Sequence, residues 1–342
     1  KQALGSFSLN HHLKFYTSFH TLFRNTRAFT ETDTYFLPRM DIMPSGQTIN
    51  VAFSTDNDNQ EDAVVICEDA INSGLLSFYK YFTVVISMSN DEEFCKPEKT
   101  SKYSKINEDG DFIGLPEINT FVKEGECLVG KRNKQSGKNT SVFADLFQAG
   151  KIDKIYVTKI TNITTIKIKF RKFSKYKEGD KEAFRYSQKG TVGRVEKREN
   201  MMVVTEGPNK GMVPDLVFNP HGFPSRQTMG ILLEGILTKA AMYDGKRVNV
   251  SAFRQIDVDS ARDVLHKNGL DPDGYEKMAY NHEIQDKSLH RNIYFVPLYT
   301  QALKHHVSDK ISIRSNESNN KSIYTRQPVG GRTQGGGQKV GE

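Results

Sequence analysis

Four cations, Lys181, Arg185, Lys189 and Arg226, stand among glycines and prolines between Gly179 and Arg226 of this 342-residue chain. Lys181 closes Gly-Asp-Lys, Lys189 sits inside Gln-Lys-Gly, and Arg226 ends VPDLVFNPHGFPSR. Long cationic side chains on tight turns suit the holding of polyphosphate, Lys as a point charge and Arg as a fork. Glycines beside Lys181 and Lys189 let backbone approach such a ligand closely. Glycine-flanked cations are also common as solvated loop charges, so these residues alone leave both readings open. A second cluster is acidic: Asp56, Asp58, Glu61 and Asp62 precede the apolar run Ala63–Cys67. Oxygen ligands crowded into a turn suit a hard cation such as Mg²⁺. A merely solvated acidic loop has the same composition, and whether Asp56 or Asp58 contributes stays open.

The charge balance says where a polyanion would lie. Residues 1–150 carry 15 Lys and Arg against 20 Asp and Glu, whereas residues 151–342 carry 33 against 21. A basic surface without a partner would look the same, but the second half is where nucleic acid is expected. The longest apolar runs, such as Phe82–Met88, are far too short to span a bilayer, and no membrane partner is expected. Cys67, Cys95 and Cys127 have no metal-ligand spacing and are odd in number, which predicts reduced, structural thiols and an intracellular protein. The chain begins at Lys1 without Met or a signal-peptide pattern, and is expected to be an excised part of a longer protein.

The elements that must position the two clusters read as mixed, with strands in the majority. Phe15, Phe19, Leu22 and Phe23 have the spacing of one helix face. Ile49–Ser54, Ala63–Cys67 and Phe82–Met88 read as strands, and Val122–Lys131 as two short strands about a Lys-Glu-Gly turn. Lys131–Thr140 reads as a mobile loop. Gly150–Phe173 alternates as an antiparallel hairpin. Ser225 is placed to cap a helix running to about Tyr243, with Met229, Leu232, Leu233, Ile236, Leu237 and Ala240 on its buried side and Gly245 beyond its end. Asp259–Asn268 reads as a short helix, Ile293–Pro297 as a strand, and Leu298–Val307 as a helix. His305 and His306 are neighbours, so on a helix they would diverge by about 100° and make a poor metal pair.

Taken in order, these words resemble the second-largest subunit of multisubunit DNA-dependent RNA polymerases. The carrying residues are Gly179–Lys181, Arg185–Gly190, and PDLVFNPHGFPSR before a helix. Asn59–Asp62 matches the family's Asn-Gln-Glu-Asp letter for letter, and the opening KQALG resembles its GKQAMG. FVPLYTQALKHHVSDKISIRS resembles PTYYQRLRHMVDDKIHARS, and TRQPVGGRTQGGGQKVGE resembles TRQPVEGRSRDGGLRFGE. The resemblance implies a β-rich α+β fold: a hybrid-binding domain with a double-psi β-barrel, residues 1–78 and 173–342, interrupted by a β-rich wall or flap insertion at residues 79–172. It implies that Lys181 and Lys189 reach the RNA 3′ end and the incoming phosphates, and that Arg226 holds the triphosphate. It also implies that Glu61 and Asp62 help place the second, nucleotide-borne Mg²⁺, the first being held by the largest subunit. Lys1, Gln2, Arg326, Arg332 and Lys339 are implied to contact nucleic acid, the last three from a Gly-rich switch-like loop. Two departures stand out: Tyr186 and Ser187 replace His and Gly of the family's Arg-His-Gly-Gln-Lys-Gly, and Ser312 replaces a His. They suggest a divergent lineage, virus- or plasmid-borne.

Nucleotidyl transfer needs two metal ions and cations to take up charge on pyrophosphate. This chain supplies the cations but lacks the family's Asp-Phe-Asp-Gly-Asp motif, so activity is expected only with the largest subunit, together with assembly subunits, template DNA, nascent RNA and nucleoside triphosphates. Two other readings remain. One is a non-catalytic nucleic-acid-binding or scaffold derivative of this subunit. The other is a Mg²⁺-dependent phosphatase or nuclease using Asp56, Asp58, Glu61 and Asp62.

Overall fold

The computed structural model describes residues 3–5, 13–96, 114–145, 147–314, 320–332 and 335–337. The chain divides into two compact units, one of residues 1–3, 48–69 and 177–342, the other of residues 4–47 and 70–176. The divisions between the units fall near residues 47, 69 and 176. Among the described residues no helix is long and apolar enough to cross a membrane.

The first unit is built on one eight-stranded sheet. Its strands are β1 (Gln47–Phe53), β2 (Ala63–Cys67), β3 (Lys181–Phe184), β4 (Lys189–Glu196), β5 (Met202–Val204), β6 (Leu216–Phe218), β7 (Tyr275–Tyr280) and β8 (Arg291–Ala302). They follow the order β3-β4-β2-β6-β1-β8-β7-β5, and β3 also pairs with β8. Six strands therefore close into a barrel, with β7 and β5 continuing outward from β8. Two parallel pairs, β2 with β4 and β1 with β6, are set in an otherwise antiparallel pattern that includes β3 with β4, β3 with β8 and β2 with β6. This is the β-rich barrel expected. β2 and β6 are short apolar runs, as strands buried on both faces should be. Gly222–Arg226 (α1), Gly230–Asp244 (α2) and Val258–Lys267 (α3) accompany the sheet; Asp257 caps α3 by accepting from the Ser260 N–H at 2.9 Å.

The second unit is a five-stranded antiparallel sheet in the order Ser18–Leu22, Phe78–Ser89, Ile163–Ser174, Gly150–Ile160 and Phe121–Val122. Alternation places Ile152, Ile166, Ile168 and Phe170 in one core with Phe82, Ile86, Val122 and Leu128. Cys67 of the first unit and Cys127 of the second are buried free thiols, and burial pushes the Cys127 thiol up to about 11.

Several expectations need correction. Phe15 to Phe23 is not helical: Ser18–Leu22 pairs with Phe78–Phe82, and the strand preference of aromatic residues overrides the helix-like spacing. Leu298–Ala302 continues β8, whose residues from Ile293 to Thr300 are all buried; an apolar run covered on both faces carries no period to betray it as a strand. The helix there is only Val307–Lys310. Lys131–Thr140 is not a loose loop, since Lys131–Asn133 pairs with Glu92–Phe94, and Glu92 accepts from Lys131 Nζ at 3.0 Å and Thr140 Oγ1 at 2.8 Å. Ser225 lies inside α1, and left-handed Gln227 (φ 53°) ends that helix before α2 begins. On α2, Met229 and Leu233 are exposed while Glu234 and Lys239 are buried, because the helix docks by ion pairs as well as apolar contacts.

Candidate functional site

Pairing of β3 with β4 sets Lys181 opposite Thr191 and Ala183 opposite Lys189. Side chains alternate along a strand, so Lys181 and Lys189 share one face while Glu182 and Gly190 share the other. Glu182 is fully buried, and burial with nearby Asp180 pushes its carboxyl up to about 8. Gly190 is required here: a Cβ would collide with the Glu182 carboxylate and stand 3.0 Å from Val64. Gly193 occupies a register shift in β4, and a Cβ there would collide with the Asp58 carbonyl. The two glycines thus let the acidic loop lie against β4. The Thr191 N–H donates to the Asp62 carbonyl at 2.8 Å and ties it in place.

Arg226, the last residue of α1, meets this loop directly. Its Nη2 donates to Asp62 Oδ1 in an ion pair, and its Nη1 donates to Gln188 Oε1 at 2.6 Å. Gln188 immediately precedes Lys189 and is fully buried. Its Nε2 donates to the Gly222 carbonyl at 3.1 Å and to Thr228 Oγ1 at 2.6 Å. Asp62 and Arg226, distant in sequence, are therefore joined beside Lys189, and Lys181 lies across the β3–β4 pair from Thr191.

Asp180, the residue before Lys181, is a second buried anchor. It accepts from the Val307 N–H at 2.8 Å and the Lys177 N–H at 3.2 Å, which fixes the turn before Lys181. Arg185 turns inward instead of joining the other cations. It lies 3.6 Å from buried Glu234 and 4.7 Å from the Tyr299 ring centre. Burial raises the Glu234 carboxyl from its ordinary value, and Arg185 opposes that rise. Between Arg185 and Gln188 the chain turns through left-handed Tyr186 (φ 65°) and Ser187 (φ 60°). Gly230 accommodates the Tyr186 ring, which a Cβ would meet at 2.6 Å. Neither Gln188 nor Asp180 was among the expected site residues. Both were visible as the polar letters of Gln-Lys-Gly and Gly-Asp-Lys, but nothing in the sequence says that they are buried anchors.

The acidic loop is only partly open to a cation. Asp58 pairs with Arg194 at 2.9 Å, and Asp56 accepts from Tyr280 Oη at 3.0 Å. Asn59 is buried and braces the loop, accepting from the Asp56 N–H and donating to the Ser54 carbonyl, both at 2.8 Å. Glu61 is exposed on a left-handed backbone (φ 54°). Carboxylate oxygens fit Mg²⁺, but among the described residues no three acidic, His or Cys side chains converge as a metal cluster. Glu61 and Asp62 can supply part of a ligand shell, and the rest must come from elsewhere. A cavity of about 660 Å³ borders Asp56, Arg194, Tyr280 and Glu283, and none of Lys181, Lys189 or Arg226 lines it.

Lys1, Gln2 and Lys339 lie outside the described residues. Arg326 is exposed with φ 54°, in a turn closed by the Ser322 N–H on the Gln327 carbonyl at 2.9 Å. Arg332 donates to the Asp309 carbonyl and, at 2.8 Å, to the Ser308 carbonyl, holding the tail against the Val307–Lys310 helix. Ser312, which stands where the resemblance has His, donates to the Gly336 carbonyl at 3.4 Å.

The fold is a closed six-stranded β-barrel that carries two lysines on one hairpin and an arginine paired with an acidic loop. The chain belongs to the family described as RNA polymerase Rpb2, domain 6, which matches residues 1–334. It is 33% identical over 368 aligned positions to the DNA-directed RNA polymerase II subunit RPB2 of Encephalitozoon cuniculi, covering all of this chain and 31% of that protein. It is 29% identical to the archaeal subunit Rpo2 of Saccharolobus shibatae, again along its whole length and 32% of the relative. A virus-encoded relative, a probable RPB2 homologue of Invertebrate iridescent virus 6, is 27% identical across the whole chain and 30% of its own. The chain thus spans about a third of the length of these curated relatives.

Proposed function

We propose that this chain is the part of a multisubunit RNA polymerase subunit that holds the RNA–DNA hybrid and positions the triphosphate of the incoming nucleotide. Lys181 and Lys189 face the RNA end and phosphates, Arg226 grips the triphosphate, and Asp62 with Glu61 contributes to the nucleotide-borne Mg²⁺. When bound, that metal would draw charge from the departing pyrophosphate. The protein's own contribution is electrostatic positioning by cations fixed on a rigid hairpin. Arg326, Arg332, Lys339, Lys1 and Gln2 make phosphate contacts along the hybrid. Activity requires the largest subunit, because no second acidic motif for the tightly held metal occurs in this chain.

The observation that carries this reading is the meeting of Arg226 and Asp62, separated by 164 positions yet joined beside Lys189. The hydrolase alternative loses support from the same loop, since Asp58 and Asp56 are engaged by Arg194 and Tyr280. The test is nucleotide addition by polymerase assembled with the full-length subunit. Lys189→Ala or Arg226→Ala is expected to slow addition by at least about a hundredfold while changing scaffold binding less than about threefold, as for a group acting on transition-state charge. Equal loss of both activities, or no loss of either, would overturn these roles.

A further inference from the structure

Arg226 has a fork of donors, and the structure spends its two terminal nitrogens on partners of different kinds. Nη2 reaches Asp62, a half-exposed carboxylate; the two side chains are 34% and 45% exposed. Nη1 reaches Gln188, a neutral acceptor with no exposure at all. The first bond lies where an anion in solution can compete for it. The second is closed to solvent on its acceptor side.

Gln188 is also the better fixed of the two. An amide oxygen is aimed only if the amide plane is held, and the Nε2 group of Gln188 is held twice, by the Gly222 carbonyl and by Thr228 Oγ1. Those partners bracket Arg226 in the chain: Gly222 opens α1, and Thr228 follows the left-handed Gln227 that ends it. One buried side chain therefore ties both ends of the five-residue helix to the strand that begins at Lys189. It sets the position of Arg226 and of Lys189 relative to each other.

We infer that Gln188 is a positioning residue: it holds Nη1 of Arg226 as a pivot while Nη2 exchanges Asp62 for a triphosphate oxygen. In the free protein the Arg226–Asp62 pair keeps both groups at the site and neutralises each with the other. A magnesium-bound triphosphate supplies each with a new partner, phosphate oxygen for the guanidinium and cation for the carboxylate. The pivot bond persists through the exchange, so the arginine need not be ordered again on binding, and less affinity is lost to immobilising it. No bond other than hydrogen bonds and ion pairs forms or breaks in this step. The inference rests on the proposed role of Arg226, and its test separates the two.

The experiment is single-nucleotide addition on a preformed RNA–DNA scaffold by polymerase assembled with the full-length subunit, with ATP as the varied substrate at fixed Mg²⁺. Gln188→Met keeps the length of the side chain and removes its polar atoms. It is expected to raise KM for ATP about tenfold, the usual worth of a hydrogen bond to a charged group, with kcat within about threefold of wild type. The discriminating measurement is the double variant: in an Arg226→Ala background, Gln188→Met should change KM by less than about twofold, because its effect passes through the arginine. A merely structural residue would add its full effect in either background, and that result overturns the inference. An unchanged KM for Gln188→Met beside a raised one for Arg226→Ala overturns it too, while leaving the Arg226 role standing. No effect of Arg226→Ala removes both. If Gln188→Met fails to assemble, Thr228→Val, which frees one arm of the amide, serves instead. It should raise KM about threefold, again only when Arg226 is present, and no rise counts against the pivot.

Discussion

Both compact units bury a lysine, and they do so in opposite ways. In the barrel unit Lys239 on α2 donates to Glu276 at 2.8 Å and to the carbonyls of Phe295 at 3.0 Å and Gly274 at 3.3 Å. Glu276 is held in turn by Asn209 at 2.8 Å. In the second unit Lys169 sits over the Tyr81 ring at 5.2 Å, with Asp153 at 3.8 Å. Burial pushes both ammonium groups down from their ordinary value. The barrel ties buried Lys239, Asp180 and Gln188 into hydrogen-bond networks, whereas Lys169 lies on the face of its sheet opposite the aliphatic core; elsewhere in that second unit Lys131 is held by Glu92 at 3.0 Å. A network of polar partners fixes the position of a buried charge, whereas strand alternation fixes only which face is buried.

The sharpest way to break this contrast is to treat the two lysines alike. Lys239→Met strands the buried Glu276 carboxylate and is expected to cost about 3–5 kcal/mol. Lys169→Met keeps the aliphatic packing over Tyr81 and leaves Asp153, which is a quarter exposed, with Arg171 at 3.9 Å and with water; it should cost less than about 1 kcal/mol. Denaturant unfolding of the two variants checks both, and similar losses would erase the distinction. Glu276→Leu combined with Lys239→Met should recover much of the loss, because it removes the stranded charge.

The next test reverses the roles. Ile168 is fully buried in the core of the second unit, and Ile168→Ala should destabilise that unit by about 2–5 kcal/mol through the cavity it leaves. Polymerase assembled with this variant should keep its KM for nucleotide, since no site residue belongs to that core. A raised KM would show that the second unit takes part in positioning the site.

How much of this was legible follows the same line. The hairpin Gly150–Ser174 could be read from alternation because one face is apolar and the other is not, while Phe82–Met88 was read as an apolar run inside the longer strand Phe78–Ser89. The barrel strands were harder: β8 is covered on both faces and its second half passes for a helix. Lys181, Lys189, Asp62 and Arg226 were named from words matched to a family, and their convergence could not have come from spacing alone. The anchors Gln188, Asp180, Glu234 and Lys239 were missed or misplaced, because a polar letter carries no mark of burial until its partners are known. Arg185 looked like one more site cation for the same reason.

A pH titration probes the barrel's polar interior more gently. The Glu182 carboxyl, raised by burial to about 8, stays protonated in the folded barrel between pH 4.5 and 8, where the unfolded chain has lost that proton. Folding then retains one proton more than unfolding, so this group stabilises the barrel fully below about pH 4.5 and its contribution fades as pH rises through about 8. Glu182→Gln should flatten that decline by the slope of a single proton in unfolding measured from pH 5 to 8. An unchanged slope would mean that Glu182 is ionised inside the barrel and has a partner there.

The smallest expected effect lies at the turn between the site lysines. Ser187 holds φ 60°, a conformation that strains any residue with a Cβ, and it stands where the resemblance has glycine. Ser187→Gly relieves that strain but also frees the unfolded chain, so the two effects partly cancel and a gain of about 0.5–1 kcal/mol is expected. Tyr186 shares the left-handed turn, yet its ring fills the space over Gly230, so Tyr186→Gly should lose packing and gain nothing. If the turn only carries Lys189 into β4, Ser187→Gly will leave nucleotide addition within about twofold while raising the unfolding midpoint. A fall in addition rate at unchanged or improved stability would instead assign the hydroxyl a part in the site, and the barrel's rule of polar anchors would then extend to a residue exposed on its surface.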